Sequence, residues 1–468
     1  MPRLNPSFLP LARPRFGRPG PLRAAVAASV VFTVLALGLP GAAQAQSLQA
    51  LYDAARSYDA AYQSARAQAD SVVFRAEQSR ALRRPSVSGT ATWAENRSET
   101  PFSSTTVTRT SQQSLAVSAQ QSLFNRGNDK TIAQADKAVE VARSQLAAVE
   151  QDLIVRLAQA YFDVLAASDA LATVQTSKKA IAEQLASAKR NFEVGTATIT
   201  DTREAQAKFD LATAQELAAE NDLQVKRLAL DSVVGRNGVL PRPMAVPIVL
   251  PTSGPADVEE WVGQADSLSP ALTQLRLARE VARLETEKAR TGHLPTVGIS
   301  GSLTDAQTRV SGRTPAGSFG PSSGNGISAN VAVQLTLPLY TGDSVQNRIK
   351  ETLALEDKSQ SDLDAARRSV AQGTRSAYFG LRSLRAQVAA LEAAESSSKL
   401  ALEATQLGYK VGVRVNLDVL NAQTQLYQAQ RDLAKARYDV VVNLLKLRQV
   451  SGQLQPQDVT AVDGLLAR

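Results

Sequence analysis

Phe192-Glu193-Val194-Gly195-Thr196-Ala197-Thr198 closes a long uninterrupted helical stretch, and 217 residues later the chain offers the same device as Tyr409-Lys410-Val411-Gly412-Val413-Arg414-Val415. The same offset relates Ala160-Tyr161-Phe162 to Ala377-Tyr378-Phe379, Asp201 to Asp418, Ala205-Gln206 to Ala422-Gln423 and Gly235 to Gly452. A constant offset with no insertion implies duplication of a unit of roughly 200 residues. In both copies a Val-Gly pair interrupts helical sequence and helical sequence then resumes, which reads as the tip of a helical hairpin.

The segments entering these tips are long. From Gly127 to Asn191 no proline or further glycine intervenes. Ile132, Val139, Leu146, Leu153, Ala160, Ala167 and Val174 recur every seventh residue, with Ala135, Ala142 and Val149 between them, as a coiled-coil seam requires. Leu363, Val370, Ala377, Leu384 and Leu391 keep the same step in the second copy. At 1.5 Å rise per residue such a helix makes a rod of about 100 Å, followed by a return helix of about 35 residues.

Ahead of each rod the period changes. A first helix, over 47–81 and again over 270–291, stops at Arg83-Arg84-Pro85 or His293-Leu294-Pro295, where proline ends the hydrogen-bond ladder. Strands are then predicted over 84–95, 111–123, 294–304 and 327–339. Val87, Gly89, Ala91 and Trp93 alternate with Ser86, Ser88, Thr90 and Thr92, and Ile327, Ala329, Val331, Val333 and Leu335 form a matching apolar face later on. The Ser/Thr/Gly-rich stretches 96–110 and 305–326 read as surface loops.

The remaining segments frame these units. Residues 1–45 combine Arg3, Arg13, Arg15, Arg18 and Arg23, an apolar run from Ala24 to Leu39, and Ala43-Gln44-Ala45, the pattern of a secretory signal peptide cleaved before Gln46. These five arginines carry five of the eight net positive charges, so the basic balance is no argument for nucleic acid. The domain plan is then 1–45 signal, 46–235 first copy, 236–269 a Pro-rich equatorial connector with a short helix near Ala256 to Asp266, 270–452 second copy, and 453–468 a tail. There is no cysteine, which excludes disulfides, thiol catalysis and a cysteine-linked lipid. A single histidine, His293, cannot build a multi-histidine metal centre and reads as a helix-end residue. No cofactor is expected.

Past the signal no run of eighteen apolar residues occurs, so any membrane crossing is made by strands. In lipid every backbone polar group must be paired, so a sheet there has to close, and the smallest barrels use about eight strands. Four strands per chain therefore imply an oligomer.

Ala160-Tyr161-Phe162-Asp163-Val164-Leu165, Phe192-Glu193-Val194-Gly195 with Thr200-Asp201, His293-Leu294-Pro295-Thr296, Leu337-Pro338-Leu339-Tyr340, and Gly408-Tyr409-Lys410-Val411-Gly412 with Asp418-Val419-Leu420 resemble the TolC family of outer-membrane efflux and secretion proteins. The resemblance spans nearly the whole chain after the signal. It implies a mainly α protein with a transmembrane β-barrel: a homotrimer whose twelve-stranded barrel sits in outer-membrane lipid on an α-helical tunnel across the periplasm. It also implies a periplasmic adaptor protein and an inner-membrane transporter as partners. By the same resemblance Tyr409 and Arg414 of the second tip bond to the first tip, at Thr200 and Asp201, and hold the entrance shut. Asp418 matches the first of two ring-forming aspartates at the narrowest point. Asn421 stands at the second, a departure that leaves one acidic ring and implies weaker cation block.

Two other classes compete with an exit duct. A periplasmic coiled-coil structural or adaptor protein would share the rods but lack a barrel. An exported enzyme would need a nucleophile with its base, a metal cluster or a phosphate loop, and the sequence offers none of these. Whether the cargo is a drug or a protein is not written in the chain.

Overall fold

The computed structural model describes residues 46–100, 106–245, 254–255, 257–314 and 316–467. The signal segment, the tip of the first strand hairpin and most of 246–256 lie outside them. The order is α1 (Leu48–Tyr58), α2 (Ala60–Arg80), β1 (Ser86–Thr100), β2 (Thr106–Phe124), α3 (Arg126–Glu193), α4 (Ile199–Val234), α5 (Val258–Leu268), α6 (Pro270–Arg290), β3 (Thr296–Thr314), β4 (Gly317–Thr336), α7 (Ser344–Lys410), α8 (Asn416–Val450) and α9 (Pro456–Asp463).

The first helix of each copy is broken. In copy one the chain turns at Asp59 (φ −57°, ψ 117°), whose carboxylate caps α2 by accepting from the Tyr62 N–H. In copy two it turns at Ser269 (φ −60°, ψ 121°) ahead of Pro270. The resulting helices have equal lengths in both copies, 11 then 21 residues. By this correspondence α5 pairs with α1, so the second copy begins with α5, the short helix expected within the connector.

Two rods dominate. α3 has 68 residues and α7 has 67, each about 100 Å long. α2 and α6 flank the rods near the strands, while α4 and α8 return along their far halves. Where these partners meet, the main core forms. Leu51, Tyr52, Leu153, Leu157, Phe162, Leu230, Val441 and Val462 are buried there between α1, α3, α4, α8 and α9. Phe162 stacks on Tyr438 at 5.7 Å between centroids, and Tyr438 Oη donates to Asp169 at 2.6 Å. A second cluster gathers Trp261, Leu381, Val388, Val440 and Leu444. Within α7 the buried row is Leu363, Thr374, Leu381 and Val388; Val370, Ala377, Leu384 and Leu391, expected as the seam, are only half-buried beside it.

The four strands form one antiparallel sheet in chain order, β2 pairing with β3 across the duplication. The strands run well past their expected ends, because the polar stretches read as loops remain paired up to Thr100–Thr106 and Thr314–Gly317. Backbone bonding continues a register once it is set, with no need for apolar side chains. The register gathers the apolar positions of the lower sheet on one face: Val87, Ala119, Gly301 and Val331 share one row, and Gly89, Val117, Leu303 and Ala329 the next. That face is bare, with Val87 69%, Leu115 62%, Ile327 77% and Val331 77% exposed. Along β3 from Leu303 to Val310 the residues of this face are exposed and the alternate ones half-covered, so the apolar face is convex and the other concave. The concave face carries mainly Ser, Thr, Gln, Asn and Ala, with Val310 and Phe319 near the strand tips, and Ser88 is bonded to Ser118 across it at 2.9 Å. All seven charged side chains of the strands, Glu95, Arg97, Glu99, Arg109, Asp305, Arg309 and Arg313, stand on the convex side. β1 and β4 are open edges.

Candidate gate and pore constriction

At the far ends of the rods the two tips share one backbone. Gly195 and Gly412 both have φ of +79°, a conformation that favours glycine. The N–H groups of Thr196 and Ala197 return to the Asn191 carbonyl, as those of Val413 and Arg414 return to the Gly408 carbonyl. The side chains then diverge. In copy one Thr198 caps α4: its Oγ1 accepts from the Asp201 N–H at 3.2 Å, while Asp201 Oδ2 accepts from the Thr198 N–H at 3.0 Å and its hydroxyl at 2.8 Å. In copy two the cap position is Val415, which has no side-chain bond to give. Asp418 is therefore left free of a cap and pairs with Arg414, Nη1 to Oδ2 at 3.5 Å.

Within the protomer the tips make the following links. Arg414 bonds Asp418 one helical turn on in its own tip and not Asp201, whose Oδ2 is engaged by its cap. Tyr409 does reach the first copy, but at Asn191, whose Nδ2 donates to Tyr409 Oη at 3.1 Å. Thr200 and Asn421 are exposed, and Asp201 and Asp418 are half-buried. One further tie was not anticipated: Gln184 of α3 donates to Asn416 at the first turn of α8. Asn416 is 3% exposed, and its Nδ2 has no partner among the described residues. The pattern Thr198-x-x-Asp201 was a legible sign of the capping box; the Gln184–Asn416 and Asn191–Tyr409 contacts carry no local signal.

Beneath the tips, packing is by small residues. Ala188, Ala205 and Ala212 are buried with Ile181, Leu185 and Leu420 between α3, α4 and α8. Around them Phe192, Val194, Ile199, Leu407, Val411, Val413 and Val415 are exposed, leaving an apolar end on each hairpin. No cluster of metal-ligating side chains occurs among the described residues, and no helix among them is long and apolar enough to cross a membrane.

A convex apolar sheet, a concave neutral one and paired hairpins about 100 Å away define a membrane duct with a helical extension. The profile described as Outer membrane efflux protein matches residues 51–236 and 261–453, one match for each copy. The chain belongs to that family. It is 33% identical over 436 residues to outer membrane protein TolC of Vibrio cholerae serotype O1, covering 92% of this chain and 97% of that one. It is 32% identical over 341 residues to the alkaline protease secretion protein AprF of Pseudomonas aeruginosa, covering 71% and 67%. Among solved structures, the outer membrane protein VceC of Vibrio cholerae aligns with a TM-score of 0.68 at 20% identity, over 86% of this chain and 96% of that one. CusC aligns with a TM-score of 0.72 at 16% identity, over 87% and 92%. The protein is an outer-membrane exit duct of the TolC family, a helical tunnel carrying a β-barrel.

Proposed function

We propose that three copies assemble through the free edges of β1 and β4 into one twelve-stranded barrel, and that the duct works as a passive conduit gated at its hairpin tips. The observation that carries this reading is the sheet itself. Its apolar convex face is bare, its concave face is neutral and polar, and both edges are open, an arrangement stable in lipid only when neighbouring sheets close it. A coiled-coil adaptor without a barrel would have no use for such a face.

In this reading the second-copy tip is the moving part. Tyr409 and Arg414 hold it against the first-copy tips, where Thr200 and the uncapped oxygen of Asp201 are the available acceptors on a neighbouring protomer. Asp418, repeated by the threefold axis, forms an acidic ring, and Asn421 leaves it single. The exposed apolar ends, Val411, Val413 and Val415 with Val194 and Ile199, suit docking of a periplasmic adaptor joined to an inner-membrane transporter. Cargo is chosen by those partners; the family includes a relative named for protease secretion and one named for efflux, BepC of Brucella suis. The duct itself catalyses no reaction.

Purified protein in detergent should run as a heat-resistant trimer and give discrete single-channel currents in planar bilayers. A detergent-free soluble monomer with no channel activity would overturn this assignment.

A further inference from the structure

The charges of the strands are placed where a barrel in plain hydrocarbon would not keep them. Polar side chains of a membrane barrel belong in its interior, yet here the concave face has none that are charged and the convex face has all seven. One, Asp305, stands in the top row of the apolar band, between Leu115 and Ile327, and the other six lie above it. The row of Ala91 and Leu115 is followed by Trp93, 70% exposed, at the position of an interfacial aromatic. Glu95 and Arg309 come one row higher, then Arg97 and Arg109, then Glu99 and Arg313.

Arg109 is the centre of this group. Arg97 lies directly opposite it on β1. On β3 its partner is Ser311, so Arg309 and Arg313 flank it diagonally. Directly opposed like charges repel, at about 5 Å between Cβ atoms and about 7–8 Å on the diagonals. Of the four, only Arg97 has a carboxylate partner among the described residues, Glu99 at 2.6 Å. Arg109, Arg309 and Arg313 are exposed on the convex face. Glu95 and Glu99 flank Arg109 diagonally on β1, so the six charges leave an excess of two positive that an anion can balance, and planar guanidinium groups match phosphate oxygens two at a time.

Height and side of the membrane identify that anion. The helices leave the opposite end of the sheet, so the strand tips face outward from the cell. Arg97 lies four residues beyond Trp93, about 13 Å along the strand, or about 10 Å along the membrane normal at the usual strand tilt. That is the level of the phosphorylated sugars of an outer-leaflet glycolipid, whose acyl chains would lie against Val87, Leu115, Ile327 and Val331.

We propose that Arg97, Arg109, Arg309 and Arg313 form a binding site on the outer wall of the barrel for the phosphate groups of the outer-leaflet glycolipid. The site is remote from the tips, so it fixes the duct in the membrane and leaves gating alone. This inference rests on the outer-membrane placement of the barrel and not on the assignment of the gate.

The test uses the full-length trimer in detergent, titrated with bisphosphorylated lipid A and with its dephosphorylated counterpart, bound lipid being counted by native mass spectrometry. The wild type should retain the phosphorylated lipid and lose the dephosphorylated one. The R97Q/R109Q/R309Q variant should bind the phosphorylated lipid about tenfold more weakly or worse, with R109K alone keeping part of the affinity. Trimer yield and single-channel conductance should be unchanged, which separates this outcome from failure of the duct. Equal retention of both lipids by the wild type would overturn the proposal even if the triple variant failed to assemble. So would displacement of the lipid by millimolar inorganic phosphate, since the site would then be one for free anions.

Discussion

Asp201 and Asp418 occupy the same position of the two hairpin tips, 217 residues apart, yet only Asp201 is held in a reciprocal cap. Its partner Thr198 is replaced by Val415 in the second copy, and the carboxylate of Asp418 turns to Arg414 instead. One change of side chain at the cap thus removes bonds from the first turn of α8 and leaves its acid, uncapped, to pair with Arg414. The repeat builds two hairpins with the same backbone, and at this position only the first keeps its cap.

Restoring the cap should stiffen the second tip. In V415T the new hydroxyl would accept from the Asp418 N–H while the carboxylate accepts from residue 415, a gain of about 1 kcal/mol. Hydrogen exchange over residues 411–418 should slow by about fivefold and channel openings should become rarer. Exchange as fast as in the wild type would mean that the cap does not limit motion there.

Removing the Arg414–Asp418 pair should do the opposite. The pair is solvent-exposed, with side chains 61% and 38% accessible, so in its own tip it contributes no more than about 1 kcal/mol. R414A should nonetheless raise open probability if Arg414 also reaches a neighbouring tip, and Y409F should add to it by losing the Asn191 bond. Currents identical to wild type in both variants would remove these residues from the gate.

The acid at 418 should govern cation block. D418A is expected to weaken block by multivalent cations, and N421D to strengthen it by adding a second ring one helical turn on. Concentration–block curves in planar bilayers read both. An undiminished block in D418A would move the constriction elsewhere.

Much of this architecture is written in local pattern. The seven-residue step of Ile132 to Val174, the Val-Gly breaks and the alternation through Val87 to Trp93 are each set by a short stretch, so rods, tips and strands could be read directly. The break at Asp59 could not, since no proline or glycine marks it; it is made by a carboxylate that caps α2 and also bonds Arg156 of α3, at 3.1 Å. The true strand ends were hidden for a related reason, because the upper hairpins are held by backbone register and not by apolar side chains. At the gate, the residue types were legible and their partners were not. Arg414 could have chosen either aspartate, and nothing in the local pattern marks Asp418, one helical turn on, as its partner within the protomer.

Asp59 makes the chain acid-sensitive at its equator. Burial alone would raise this carboxyl, but bonds from Arg156 and from the Tyr62 N–H outweigh that and hold it below the ordinary value of 3.8. A group with a depressed folded value stabilises the fold above its unfolded value, and that contribution is lost as pH falls through the folded one. D59N should therefore lower thermal stability at neutral pH, by about 1–2 kcal/mol for a weakened cap and ion pair. The gap from wild type should shrink below pH 3.8. Melting curves at pH 7 and pH 3 decide it, and a gap that did not change would show that the charge on Asp59 is not what is lost.

The two helix-ending glycines, Gly235 and Gly452, test the duplication at the level of packing. Both lie 217 residues apart in the left-handed region, at φ +73° and +74°, and each faces a broken first helix. A Cβ on Gly235 would stand 2.2 Å from the Tyr58 ring, whereas one on Gly452 would stand 2.4 Å from the Leu268 carbonyl oxygen. Alanine is strained at either backbone angle, by about 1 kcal/mol. The obstacles differ in what they can yield. Tyr58 is 60% exposed and its ring can swing into water, so G235A should cost about 1–2 kcal/mol. Leu268 and Ser269 are backbone at the α5–α6 junction and cannot move without shifting these helices, so G452A should cost about 3 kcal/mol or more. Thermal dissociation of the purified protein should therefore rank wild type above G235A and G235A above G452A. The reverse order would mean that the α5–α6 break is more pliable than its buried Ser269 implies.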